Sequence, residues 1–305
     1  MASIPYPPGS PAASTRLYVL LARQARTGVI FRRGPSKQVQ LIGWDLARDR
    51  FTPGQWFKGR LYERRCDLSP SGRLLVYFAA KYKGEFGTWT ALSRPPFLTA
   101  LALWPKGDAW GGGGMFENER SLLLNHRPQP GRTPFPLPTG FGLPHDMRVK
   151  PCGQWSGGGE DEPIDSLLRR RDGWKERDAG EGERGGRRSG VLYRFSRPRI
   201  WEKRGPQGWR LQSLLQAVGR ENGAWYALDH RVCDGDGNVL VDLPGSDWAD
   251  WDDGDLVVAR AGCLYRLAQA DLLRYRHDEA VLRLLQDFRD ARFAAMAAPV
   301  DALTY

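Results

Sequence analysis

A turn of small polar residues and glycine opening into a short apolar run occurs twice in this chain, and no other feature restricts its fold as much. The first copy is Ser69-Pro70-Ser71-Gly72 before Leu74, Leu75, Val76, Tyr77 and Phe78. The second is Asp252-Asp253-Gly254 before Leu256, Val257, Val258 and Ala259, followed by Leu264, Tyr265, Arg266 and Leu267. Glycine supplies the positive φ that tight turns need, and runs of four to six apolar residues suit strands better than helices. A repeated turn-then-strand unit is the pattern of sheet arrays, and the fold class it predicts is mainly β.

The rest of the chain agrees. Apolar runs at 17–21, 28–31, 39–44, 60–62 and 74–79 recur at strand-like spacing with no helix-length pattern between them. Gly34-Pro35-Ser36 and Thr52-Pro53-Gly54 are read as turns at the gaps. Further strands are expected at 88–92, 97–103, 121–125, 190–195, 209–211, 224–227 and 239–241, and a final hairpin pairs 256–259 with 263–267 around Arg260-Ala261-Gly262. With 36 Gly and 22 Pro in 305 residues, the composition favours many turns, and 12 Trp, 10 Tyr and 12 Phe supply apolar surface for a core.

Three segments depart from this pattern. Residues 1–14 hold four Pro, three Ser and no charge, and read as a disordered tail. Residues 127–189, Pro-rich and then dominated by Gly, Glu, Asp and Arg, read as a flexible insertion, in which Ile164, Leu167, Leu168 and Trp174 could support one short helix. Residues 268–299 switch period: Leu272, Leu273, Val281, Leu282, Leu284, Leu285 and Phe288 predict a C-terminal helix packed on the sheets, stopped by Pro299. The domain organisation expected is one β domain over 15–267, interrupted at 127–189, with that helix attached.

Residues 38–56, carrying Trp44-Asp45 and then a polar turn and a return, resemble the outer part of a WD-type blade. Residues 66–77, Cys-Asp-Leu-Ser-Pro-Ser-Gly-Arg-Leu-Leu-Val-Tyr, are similar to the turn-and-strand phrase of WD-repeat and TolB-like propellers, and 248–256 resemble it again. What the resemblance implies is a propeller-like array of antiparallel four-stranded sheets, irregular or partial, with about five blades.

The formal net charge is +10, and Arg supplies 37 of the 45 basic residues, scattered along the chain. Such a charge fits an anionic partner or an Arg-rich solvated surface. Arg32, Arg33 and Lys37, together with Lys58, Arg60, Arg64 and Arg65, are interleaved with Trp56, Phe57 and Tyr62; basic residues among aromatics can track a phosphate backbone and stack bases, or simply flank a strand with one buried face. Trp104 and Trp110, flanking a turn, could equally anchor a protein partner.

Motifs for chemistry are weaker. Gly111-Gly112-Gly113-Gly114 lacks the Lys-Ser or Lys-Thr of a phosphate loop, and Met115-Phe116 continue it as strand, so it reads as a close backbone approach or a rim loop. Asp234-Gly235-Asp236-Gly237-Asn238 imitates half a calcium loop, but Val239 and Gly245 stand where Gly and Glu belong; a hairpin turn accounts for it. His126, His145, His230 and His277 share no ligand spacing, Cys66, Cys152, Cys233 and Cys263 no CxxC, and His145-Asp146 is the nearest thing to an acid–base pair. No cofactor or metal set is legible. No apolar run reaches the ~18 residues of a membrane span, and no signal-peptide pattern is present, so the expected home is a reducing cytoplasm.

The function expected is a non-catalytic binding or scaffold module for another protein, with Arg32, Arg33, Lys37, Trp56, Arg60 and Trp110 as contacts. Nucleic-acid association through the basic surface is the first alternative, and a hydrolase or lyase with a site in a propeller channel the second.

Overall fold

A computed structural model describes residues 15–34, 37–128, 135–186, 190–220 and 223–305; the tail expected at 1–14 lies outside them. The protein is mainly β, with five sheets and, among the described residues, one α-helix. The first sheet runs in chain order through β1 (Arg16–Leu21), β2 (Thr27–Arg33), β3 (Gln38–Asp45) and β4 (Arg50–Lys58). The second contains β5 (Arg60–Leu61), β6 (Asp67–Leu68), β7 (Leu75–Ala80), β8 (Thr88–Ser93) and β9 (Ala102–Pro105), with β5 and β6 both paired to β7. The third comprises β10 (Gly114–Asn118), β11 (Ser121–Leu124) and β12 (Arg148–Pro151), followed by α1 (Ile164–Arg171). The fourth holds β13 (Trp174–Asp178), β14 (Glu181–Arg184), β15 (Tyr193–Arg204), β16 (Arg210–Val218), β17 (Tyr226–Cys233) and β18 (Val239–Leu243). The fifth is β19 (Ser246–Asp252), β20 (Asp255–Arg260), β21 (Cys263–Leu267) and β22 (Arg283–Asp287). Pairing is antiparallel along the meanders, whereas β11 and β12 run parallel.

The chain divides into two compact units. The larger consists of Tyr18–Arg32, Lys37–Trp174 and Arg292–Tyr305, and the smaller is built around Lys175–Ala291. In the larger unit, β7 shows why the sheets stack. It is buried along its whole length, Leu-Val-Tyr-Phe-Ala-Ala, so its two faces serve different cores. Leu75, Tyr77 and Ala79 pack with Val29, Phe31, Val39 and Leu41 of the first sheet. Val76, one residue out of phase, packs with Phe116, Leu122 and Leu124 of the third. A period-two alternation thus places the second sheet face to face between the other two.

The turn chemistry behaves as the sequence implies. Asp253 and Gly254 lie at φ +52° and +91° between Asp252 and Asp255, and Ala261 and Gly262 at +52° and +77° between Arg260 and Cys263, the two-residue geometry that suits strand twist. At the first copy, Gly72 N–H donates to Ser69 O at 2.8 Å with φ +76°. Trp44 is buried against Phe51, ring centroids 5.8 Å apart, and its indole N–H donates to Asp49 across the β3–β4 loop.

Three expectations are corrected. Thr52-Pro53-Gly54 is no turn but lies inside β4, where Pro53 pairs with Ile42 beside a bulge. Residues 268–299 form no long helix: short 3-10 turns at Gln269–Asp271 and Glu279–Val281 lead into β22, which pairs along β21. Pairing there covers hydrogen-bonding groups that a helix would have left open on the sheet edge. The stretch 127–189 is not a loose insertion where it is described, since it supplies β12, α1, β13 and β14. Its few apolar residues misled because ion pairs fix it. Asp165 takes both Arg64 and Arg169, Glu160 joins Arg65 at 2.7 Å, and Arg171 grips Asp67. The short helix is present, with Ile164 and Leu168 against Met115.

Candidate functional site

One rim of the larger unit gathers exposed aromatics over a tightly bonded base. The four-glycine run sits there because its backbone passes others at close range. A Cβ on Gly113 (φ +83°) would fall 2.2 Å from the Arg65 carbonyl oxygen, and one on Gly112 (φ +99°) 2.3 Å from the Phe78 ring. The Arg65 guanidinium donates to Ala109 O at 2.9 Å and Gly111 O at 2.7 Å while lying over the Tyr62 ring. Asn125 Nδ2 donates to Gly112 O and Gly158 O, and its Oδ1 accepts from Gly157 N at 2.8 Å. Ser156 Oγ lies 2.7 Å from both Leu124 O and His126 O. On this base stand Trp110 and Trp155, each 72% exposed, with the Trp110 ring facing Gly159.

Beside them is a cleft of about 470 Å³ lined by Trp104, Lys106, His126, Arg127, Phe135 and Leu137 among others. Strand register builds it: Thr90 on β8 is the partner of Trp104 on β9, and His126 follows the end of β11. His126 Nε2 is 2.8 Å from Thr90 Oγ1, and its ring meets Phe135 edge-on at 6.2 Å. Trp104 Nε1 donates to Phe135 O at 3.2 Å. Phe135 has φ +74°, a strained value for a bulky residue. Lys106 pairs with Asp108 at 2.5 Å. Burial pushes the His126 pKa down to about 4, Lys106 adding to the shift and Asp108 opposing it, so the ring is neutral at ordinary pH. A second cleft, of about 530 Å³, lies across Arg127 and is lined by Gln154, Trp155, Glu162 and Pro163.

The contacts expected from sequence fare unevenly. Trp110 is exposed at the rim. Arg32 is buried, its guanidinium 5.4 Å from the Trp56 ring centroid, and burial lowers its pKa, so it offers no surface to a partner. Trp56 is half-buried and packs on Phe293 at 5.9 Å, and Arg60, also half-buried, lies over Tyr62. Lys37 is exposed; Arg33 is half-buried and falls in the smaller unit. Arg32 and Trp56 therefore meet as a packing pair, and Trp110 stands on a separate segment. Thr90, His126, Arg127, Phe135 and Trp155 were not legible as one place, because Thr90 and His126 are 36 residues apart and joined only by sheet register.

The chemical motifs resolve into structural roles. Asp234 Oδ1 accepts from the Asp236 and Asn238 N–H groups, making that segment a hairpin turn, and among the described residues no group of three His, Cys, Asp or Glu could hold a metal ion. Asp146 pairs with Arg120 at 2.8 Å on the exposed surface. Burial pushes the Cys152 thiol up, and the protonated sulfur donates to Asn125 Oδ1 and Ser156 Oγ, each 3.6 Å away. No helix of the described residues is long and apolar enough to cross a membrane. No protein-family model matches the chain, and no curated protein matches its sequence.

Proposed function

We propose that this protein is a non-catalytic binding module whose partner, another protein, docks on Trp110 and Trp155. The observation that carries the reading is the pairing of two indoles, each 72% exposed, with a base in which Arg65, Asn125 and Ser156 tie down the segments that bear them. Large rigid aromatics on a fixed frame lose little freedom on binding and are frequent anchors of protein interfaces. Strand order supports the propeller-like reading: the first and fifth sheets are each four consecutive strands in chain order, as in a blade, and three sheets of the larger unit stack face to face. Four cysteines without disulfides fit a reducing cytoplasm. The nucleic-acid alternative has less behind it, because Arg32 is buried.

The test is affinity capture from the native host with the wild type and with Trp110→Ala/Trp155→Ala, followed by titration of the purified partner. A partner whose affinity falls about a hundredfold in the double variant supports the reading. Equal affinity for both proteins removes it.

A further inference from the structure

We propose that the cleft between Trp104 and Phe135 binds a small organic anion, a carboxylate or phosphate monoester on a flat aromatic body, with its charge on Arg127 and one oxygen on the Nδ1–H of His126. The site borders the rim, since Arg127 also lines the cleft beside Trp155, but it does not depend on a protein docking there.

The hydrogen-bond pattern fixes the donor. Thr90 Oγ1 already accepts the Gly113 N–H at 2.8 Å, so its own proton has His126 Nε2, also at 2.8 Å, as the acceptor within reach. Nε2 is then unprotonated and the ring proton sits on Nδ1. His126 is 6% exposed and lines the cleft, and among the described residues no protein group takes its Nδ1–H. A donor that faces a cleft is satisfied there by water or by a ligand oxygen.

Charge and shape select the rest of the ligand. The Lys106 ammonium is matched by Asp108, whereas Arg127 at the cleft wall has no carboxylate partner among the described residues, so one positive charge is left over. Phe135 and Leu137 make the other walls apolar, with the buried Trp104 behind them. About 470 Å³ lies within the usual range for small-molecule sites. Phe135 is held at φ +74° with its carbonyl on the Trp104 indole, and strain of that kind gathers at ligand clamps. A neutral imidazole donor and one guanidinium favour an anion over a cation.

The experiment titrates the full chain near neutral pH with phenyl phosphate, benzoate, inorganic phosphate and the neutral analogue benzyl alcohol, read by calorimetry and by the His126 ring ¹⁵N signals. Saturable binding of phenyl phosphate or benzoate is expected, the tighter of the two naming the anion, with benzyl alcohol weaker by about tenfold or more. Arg127 is exposed, so Arg127→Gln should keep the wild-type circular dichroism while losing about tenfold in affinity. Trp110→Ala should leave the affinity unchanged, which separates this site from the docking rim. Equal binding of benzyl alcohol, an unaffected Arg127→Gln variant, binding of inorganic phosphate alone as tight as of phenyl phosphate, or no saturation by either aromatic anion up to about 10 mM would each overturn the proposal.

Discussion

Thr90 Oγ1 stands 2.8 Å from His126 Nε2 and takes the Gly113 N–H at the same distance, so one hydroxyl joins β8 to the glycine run and to the imidazole. The ring so placed has its pKa lowered from 6.5 to about 4, chiefly by burial. Between those values the unfolded chain binds a proton that the folded chain refuses, so stability is complete above about pH 6.5 and falls as the pH drops towards 4. The expected loss over that window is about 3 kcal/mol. Urea unfolding at a series of pH values should show it in the wild type and show a flatter dependence in His126→Gln. Parallel curves for the two proteins would contradict the assignment.

Asp165 on α1 is fully enclosed, and burial by itself would raise its pKa. The guanidiniums of Arg64 and Arg169 outweigh that and hold the carboxyl below its usual 3.8. Its oxygens accept from Arg64 Nε at 3.1 Å and Arg169 Nε at 2.9 Å. Asp165→Asn takes a buried carboxylate from both cations, leaving Arg64 its pair with Asp161 at 2.9 Å, and the expected cost is about 3 kcal/mol. Hydrogen exchange should show the loss concentrated in α1 and the 3-10 turn Glu63–Arg65. A variant as stable as the wild type would mean that α1 is held by Ile164 and Leu168 alone.

These two clusters show what the sequence could and could not reveal. Strands were legible wherever apolar runs ended in Gly-bearing turns, because turn chemistry and pleat are local; Asp253-Gly254 and Ala261-Gly262 adopt the positive φ values their positions require. The helical spacing of Leu272 to Phe288 was overridden by a non-local demand, the open edge of β21. The ordering of 157–178 was hidden because its anchors are charges whose partners, Arg64, Arg65 and Asp67, lie about a hundred residues earlier. At the candidate site Trp104 and Trp110 carried the same local signal, aromatics flanking a turn, yet Trp104 is buried and Trp110 exposed. His126 and Thr90 become neighbours through strand pairing, which no motif spacing encodes.

Gly107 and Gly113 offer a controlled comparison. Their φ values are nearly equal, +85° and +83°, yet a Cβ on Gly107 meets nothing within 4 Å, while one on Gly113 would lie 2.2 Å from the Arg65 carbonyl oxygen. Gly107→Ala should therefore cost about 1 kcal/mol, from the left-handed backbone alone. Gly113→Ala adds a backbone collision at the Arg65 hub, and about 3 kcal/mol or more is expected. Paired denaturant titrations decide the matter: similar costs would show that Arg65 can retreat and that the glycine is needed only for its dihedral.

Trp104 and Trp110 sit six residues apart with opposite exposures, 2% and 72%, and should respond oppositely to truncation. Trp104→Ala empties a core position between Phe116 and Leu124 and is expected to cost about 3–5 kcal/mol. Trp110→Ala and Trp155→Ala remove rings that water already reaches, so each should change stability by less than about 0.5 kcal/mol. If those rings serve a partner, their truncation weakens binding while leaving thermal unfolding where it was. Acrylamide quenching reads the same contrast without mutation: the accessible fraction of tryptophan emission should fall on adding the partner and be absent from the double variant. A large drop in melting temperature for Trp110→Ala would instead mark that ring as part of the frame, and the docking surface would have to lie elsewhere.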